Sequence, residues 1–273
     1  MTSYLTRYME GEHEAVWSEL SCLGERVRND EFIVDALAVA RETMRRVRSN
    51  VERLVQRLDQ IGYEFSASRL EKFDYKRRVN PFTKQIMDSK PRAFRRPMVF
   101  CPPGPETAAL VDRIEMAVGG LPLSLRAWLE IVGEVDLRGS HPGWPGRHNQ
   151  AIYPDPLVMV SAEKFFTWLK EEIQYKEQYS LDPQQWSYDV PDYYTKEKIS
   201  GGGYWIELPD LAADATFNGD WDTQVRRSPA VSERSFMRYL RTCFRWGGFP
   251  GFAVSKVRPD SDLTTLAADL MPF

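Results

Sequence analysis

The stretch whose reading decides the fold is Leu121–Pro142, LPLSLRAWLEIVGEVDLRGSHP. Pro122 falls at or near the first turn of a helix, where a missing N–H costs nothing. Leu125, Trp128, Leu129 and Val132 then recur at three- and four-residue spacing, giving one apolar stripe. Gly133 stands where a helix wants left-handed backbone to stop. Val135-Asp136-Leu137 alternates apolar and polar, and Gly139-Ser140-His141-Pro142 reads as a turn. The unit predicts helix, stop, strand and turn, and it carries no catalytic motif.

Working outward, Ala109, Leu110, Ile114 and Val118 predict a preceding helix that ends at Gly119-Gly120. Downstream, Leu157–Val160 is too short and apolar for a surface helix and reads as a strand. Ser161 caps a helix carrying Phe165, Phe166, Trp168, Leu169 and Ile173. Gln174–Ser200 reads as loop, Gly201–Gly203 as a hinge, Tyr204–Leu208 as a strand, and Phe217-Asn218-Gly219-Asp220 as a turn. Ser232 caps a last major helix with Phe236, Tyr239, Leu240 and Phe244, and Leu263, Leu266 and Leu270 suggest one more short helix. Before the unit, Glu10–Gly62 reads as two helices. Val16, Leu20, Leu23 and Val27 stripe the first, and the second is a run of about thirty residues capped at Asn29 or Asp30. The expected class is α+β: a central, mostly antiparallel sheet flanked by helices, preceded by an N-terminal helical hairpin. The expected segments are 1–62 for the hairpin, 63–105 for a basic Pro-rich linker, and 106–273 for the α+β domain.

The chain has 273 residues with 36 basic and 39 acidic side chains, a formal net charge of −3. That balance argues against a dedicated nucleic-acid binder. Cys22, Cys101 and Cys243 are sparse and far apart, which suits a reducing cytoplasm better than a disulfide framework. No run approaches the roughly 18 apolar residues of a membrane span, so the expected location is cytoplasmic. Two basic regions stand out. Arg41, Arg45, Arg46, Arg48, Arg53 and Arg57 lie on the long second helix, read first as a solvated face with pairs such as Glu42–Arg46. Arg69–Arg96 interleaves basic residues with Phe73, Tyr75, Phe82 and Phe94. Together, residues 41–96 carry the alternative reading of a nucleic-acid-associated protein.

With these residues in view, Leu121-Pro122 followed by Leu125, Trp128, Leu129, Gly133 and Val135–Gly139 resembles the start of a SUKH domain. The resemblance covers roughly residues 106–250. That superfamily includes bacterial immunity proteins against polymorphic toxins and fungal cell-wall regulators. The resemblance implies an α+β domain, a sheet flanked by helices, and no catalytic residues of its own.

Chemistry-bearing patterns are few. His141 and His148, with Asp136 and Asp155 nearby, suggest an alternative metal-dependent enzyme, although their spacing matches no standard zinc pattern. Gly201–Gly203 lacks the Lys-Ser/Thr context of a phosphate loop. No serine sits in a nucleophile elbow. No catalytic residue, metal or cofactor is expected. The informative segment is Glu171–Asp222, where carboxylates alternate with Tyr175, Tyr179, Trp186, Tyr188, Tyr193, Tyr194 and Trp221. Aromatic anchors among acids suit a basic protein partner. The expected contact residues are Asp182, Trp186, Asp189, Asp192, Tyr193, Tyr194, Asp220, Trp221 and Asp222. The concrete form of that partner is a basic nuclease-type toxin, and the function is a non-enzymatic immunity-type interaction. Internal pairing of the same acids with the Arg69–Arg96 linker is the competing account.

Overall fold

The computed structural model describes residues 2–65, 99–141, 144, 155–179, 185–190, 204–219, 235–253 and 261–273. Its longest element is α3 (Ile33–Gln60), 28 residues and about 42 Å at 1.5 Å per residue. Ala36, Val39, Ala40, Met44, Val47, Val51, Leu54 and Leu58 repeat every three or four positions along it, and all are fully buried. That stripe is the spine of the molecule. It packs on α1 (Tyr4–Met9) and, later in the chain, on α5 (Leu123–Ala127), a π turn (Trp128–Val132) and α8 (Ser261–Ala267). The hairpin expected for 1–62 is therefore not set apart. Its buried residues belong to the same core cluster as those of 107–273.

The helices around α3 are positioned by side chains that reach across to it. α1 starts at Ser3, whose hydroxyl accepts from the Thr6 amide at 3.1 Å. The carboxylate of Asp35 accepts from the amides of Tyr4 and Leu5 at 2.5 and 3.1 Å. α2 (His13–Cys22) is held by the Trp17 indole N–H, which donates to Thr43 Oγ1 at 3.0 Å. The cap expected at Asn29 or Asp30 is absent. α3 begins at Ile33 after a 3-10 turn (Gly24–Arg28), with no side-chain cap at Phe32.

In the Leu121–Pro142 unit the helix, the glycine stop and the strand form as the pattern predicts. Gly139–Ser140 of the expected turn is instead a strand, because Glu64–Phe65 offers it a partner, and Pro142 lies outside the described residues. α4 (Thr107–Val118) ends at Gly119 in left-handed backbone, and Pro122 precedes α5 as its N-cap. The helix then widens into the π turn before Gly133, at φ 85° and ψ −137°, ends it. A Cβ at Gly133 would lie 2.5 Å from the Cys101 carbonyl oxygen, so both the conformation and the space require glycine. The Trp128 indole N–H donates to the Gly133 carbonyl at 2.9 Å, closing the turn on itself.

Strand pairing among the described residues is antiparallel throughout and divided among three small sheets. The expected α+β class holds. β3 (Glu134–Asp136) is the centre of one sheet, between β2 (Phe100–Cys101) and β5 (Val158–Met159), with Val135 opposite both Phe100 and Met159. β1 (Glu64–Phe65) pairs with β4 (Gly139–Ser140). The third sheet orders β6 (Trp186–Val190), β7 (Tyr204–Leu208) and β8 (Phe217–Gly219), with Trp186 opposite Leu208 and Tyr204 opposite Gly219. The supposed loop 174–200 contains the end of α6 (Ala162–Tyr179) and all of β6. The Phe217–Asp220 turn gives its first three residues to β8, because pairing with β7 overrides the local Asn-Gly preference. α7 (Phe236–Arg245) is capped by Ser235, whose hydroxyl accepts from the Arg238 amide at 3.2 Å. The expected cap, Ser232, lies outside the described residues.

Candidate functional site

The exposed side of α6 is the described part of the acidic-aromatic segment. Ser161 Oγ accepts from the Lys164 amide at 3.3 Å and starts the helix. Ala162, Phe165 and Leu169 point inward, and the Phe165 ring meets the edge of buried Tyr188 with centroids 4.8 Å apart. Tyr188 in turn donates to the Val160 carbonyl at 2.7 Å, which ties β6 beneath the helix. The adjoining stripe runs Trp168, Glu172, Tyr175, Tyr179 at spacings of four, three and four. Trp168 is 39% exposed, and Tyr175 and Tyr179 are each 56% exposed. The two tyrosine rings lie 4.7 Å apart, so the stripe ends in a preassembled aromatic pair.

Charges around the stripe are unevenly committed. Lys176 borders the stripe: its ammonium sits 3.9 Å above the Trp186 ring, donates to the Gln185 carbonyl and pairs with Glu172 at 3.3 Å. Arg113 and Lys170 flank the Phe166 ring at 4.6 and 4.9 Å. Glu171 remains at an exposed position one turn before Tyr175. The face is therefore apolar-aromatic with an acidic margin.

The sequence-derived contact residues divide as follows. Trp186 is 8% exposed and belongs to the core, where it holds β6 against α6. Asp189 lies on β6 opposite Trp205, and its backbone alone is described. Asp182, Asp192, Tyr193, Tyr194, Asp220, Trp221 and Asp222 lie outside the described residues, as does the Arg69–Arg96 stretch. Trp168, expected among the apolar positions of its helix, is a surface residue. The signal lay in its phase: Phe165 and Leu169 share a face that Trp168 leaves.

The arginines of α3 have internal work. Arg41 pairs with Glu130, Arg45 and Arg46 with Glu42, and Arg48 with Glu52. Arg53 donates to the Asp269 carbonyl at 2.7 Å, and Arg57 to those of Thr265, Leu266 and Ala268. Asn50 exchanges two hydrogen bonds with the Met271 backbone at 2.9 and 2.7 Å, and Arg46 donates to the Pro272 carbonyl at 3.1 Å. Positions 46, 50, 53 and 57 form one helical stripe. It satisfies carbonyls at the end of α8 and along the segment after it.

The other polar cluster is structural. The carboxylate of Asp214 accepts from the Ser235 hydroxyl and, at 3.2 Å, from the Met237 amide in the first turn of α7. Ser124 Oγ accepts from the Ala215 amide at 2.9 Å, and its hydroxyl adds to the same enclosure. Burial pushes the Asp214 carboxyl up to about 6, against the opposing pull of Ser235, Ser124 and Met237. A raised folded pKa contributes stability that is complete below the unfolded value near 3.8 and is lost as pH rises through about 6. Urea midpoints measured from pH 4 to 7 are expected to show Asp214→Asn gaining on the parent chain between pH 4 and 6. Above that window the difference levels off.

His141 does not assemble a metal centre among the described residues. Its Nε2 lies 3.0 Å from the Ile61 carbonyl oxygen, Asp136 pairs with Arg138, and His148 is outside the described residues. Among the described residues no group of three or more His, Cys, Asp or Glu side chains is placed to hold a metal ion. No helix there is long and apolar enough to cross a membrane. Fold and site together define an α+β protein with a solvent-facing aromatic-acidic helix. Comparison with protein-family models, curated proteins and solved structures yields no match.

Proposed function

We propose that this chain is a non-enzymatic interaction protein that binds a basic protein partner through the outer face of α6 and the adjoining acidic-aromatic segment. The observation that carries this reading is the exposed run Trp168, Tyr175, Tyr179 on one helical face, next to Glu171. Large, stiff aromatics of this kind supply most of the binding energy where they occur in interfaces, and a margin of one charge sign steers the encounter. The immunity-type form, in which the partner is a basic nuclease toxin, rests on the resemblance of Leu121–Gly139 to SUKH domains. Nucleic-acid binding through Arg41–Arg57 is disfavoured by the carboxylate and carbonyl partners those guanidiniums already hold.

The test is co-expression with the product of the adjacent reading frame, followed by calorimetry on the purified pair. Trp168→Ser, Tyr175→Ser and Tyr179→Ser combined are expected to weaken binding at least 100-fold, the loss of roughly two strong anchors. Unchanged affinity in this variant, and again in a Tyr193, Tyr194, Trp221 triple, would remove the whole segment from the interface.

A further inference from the structure

After α8 the chain turns at Asp269, whose left-handed φ of 53° an aspartate tolerates better than most side chains. It then runs antiparallel to α3, because Arg57, Arg53, Asn50 and Arg46 meet Ala268, Asp269, Met271 and Pro272 in that order. Every one of these contacts is made to a main-chain atom. The buried Asn50 side chain reads Met271 from both sides, accepting from its amide at 2.7 Å and donating to its carbonyl at 2.9 Å. A side-chain amide used in this way stands in for a neighbouring strand and takes extended backbone whatever its side chains.

The side chains of the segment contribute much less. Ala268, Asp269, Met271 and Pro272 are exposed, and Leu270 is half-buried. Phe273 alone is inserted: it is 7% exposed, and its ring meets Phe244 of α7 edge to face with centroids 5.5 Å apart. Arg241 fixes the same residue by donating to its main-chain oxygen at 2.7 Å. Main-chain hydrogen bonds with one aromatic anchor are the way a groove takes an extended peptide.

We infer that residues 268–273 are a releasable latch: α3 and α7 form a peptide-docking groove whose occupant is this segment, held in cis and exchangeable for the same segment supplied in trans. One anchor and a few main-chain hydrogen bonds are set against the ordering entropy of the segment. Opening it therefore costs far less than unfolding the buried stripe of α3. The tether through α8 keeps the segment at high effective concentration, so the groove is closed by default. The latch shares no residue with the α6 face, so it stands or falls independently of the protein partner.

Two measurements on the full chain test it. In native-state hydrogen exchange, the Met271 amide is expected to exchange on the order of 100-fold faster than the amides of Val47 and Val51 in α3. Fluorescence anisotropy then uses a labelled peptide of residues 268–273, ADLMPF, and the chain carrying Phe273→Ala, whose own segment lacks its anchor. That chain is expected to bind the peptide saturably and roughly tenfold or more tighter than the parent chain does, since the parent's groove is filled in cis. Adding Asn50→Ala should weaken the peptide roughly tenfold, the loss of both main-chain hydrogen bonds. Equal exchange of Met271 and the α3 amides would overturn the latch. So would loss of the folded circular-dichroism spectrum in Phe273→Ala, because a latch opens without unfolding what it covers. No saturable peptide binding to Phe273→Ala, or binding unaltered by Asn50→Ala, would overturn the groove.

Discussion

Replacing Trp128 with Ala is expected to cost about 3–5 kcal/mol of folding stability, the range for deleting a large buried aromatic. The indole is completely buried and packs against the edge of Phe236, centroids 5.8 Å apart. It also sits at the start of the π turn and donates to the carbonyl of Gly133, the residue that ends that turn. Truncation would therefore open a cavity at the junction with α7 and strip a buried carbonyl of its donor. Trp128→Phe separates the two effects. It keeps most of the packing and loses the hydrogen bond, so its cost should be nearer 1–2 kcal/mol. Urea unfolding followed by far-UV circular dichroism measures both, and an unchanged m-value would show that stability alone has moved. An Ala variant within 1 kcal/mol of the parent would mean that the turn is held by something other than its tryptophan.

How far the fold was legible depends on how local its determinants are. The α3 stripe, the Pro122–Gly133 unit and the strand Tyr204–Leu208 are written in consecutive residues, and each formed where its period placed it. The misses share the opposite property. β6 was read as loop although Trp186-Ser187-Tyr188-Asp189-Val190 alternates cleanly, because the surrounding tyrosines and acids masked a period of two. Phe217–Gly219 became a strand because β7 offered it a partner. The short α1 carried its own sign, Ser3 capping Thr6, and is steadied by Asp35 from thirty residues away.

The site followed the same rule. The basic face of α3 shows in sequence as arginines that water or a polyanion would satisfy equally well. The spacing of Arg46, Asn50, Arg53 and Arg57 identifies a single stripe, but nothing local says that carbonyls more than 200 positions later fill it. Composition found the acidic-aromatic segment, and helical phase then sorts it. Trp186 goes inward, while Trp168, Tyr175 and Tyr179 go outward. Periodicity, applied residue by residue, would have drawn that distinction before any coordinates.

Glu130→Ala is expected to cost about 3 kcal/mol, because it removes one member of a charge network and leaves cations enclosed without it. The Glu130 side chain is 7% exposed and accepts from Arg41 at 3.0 Å, with Arg126 Nε 2.9 Å away. Arg126 in turn pairs with Asp112 at 2.5 Å and with Glu115, and Glu115 pairs with Arg28 at 3.1 Å. Arg28 also donates to the carbonyls of Leu211 and Leu121. This chain of contacts bolts the helix of the Leu121–Pro142 unit to α3, and α4 to the 3-10 turn before it. Its six charges, three of each sign, cancel, so loss of one acid leaves an excess of positive charge among half-buried groups. Glu130→Gln keeps the shape and the acceptor oxygen while losing the charge, and should fall midway. Because the carboxylate is enclosed, raising salt from 0.1 to 1 M should recover little of the loss, although the Debye length falls from about 10 to 3 Å. Chemical denaturation at the two salt concentrations checks this. Recovery of most of the stability at 1 M would show that repulsion through solvent, rather than the broken contacts, sets the cost.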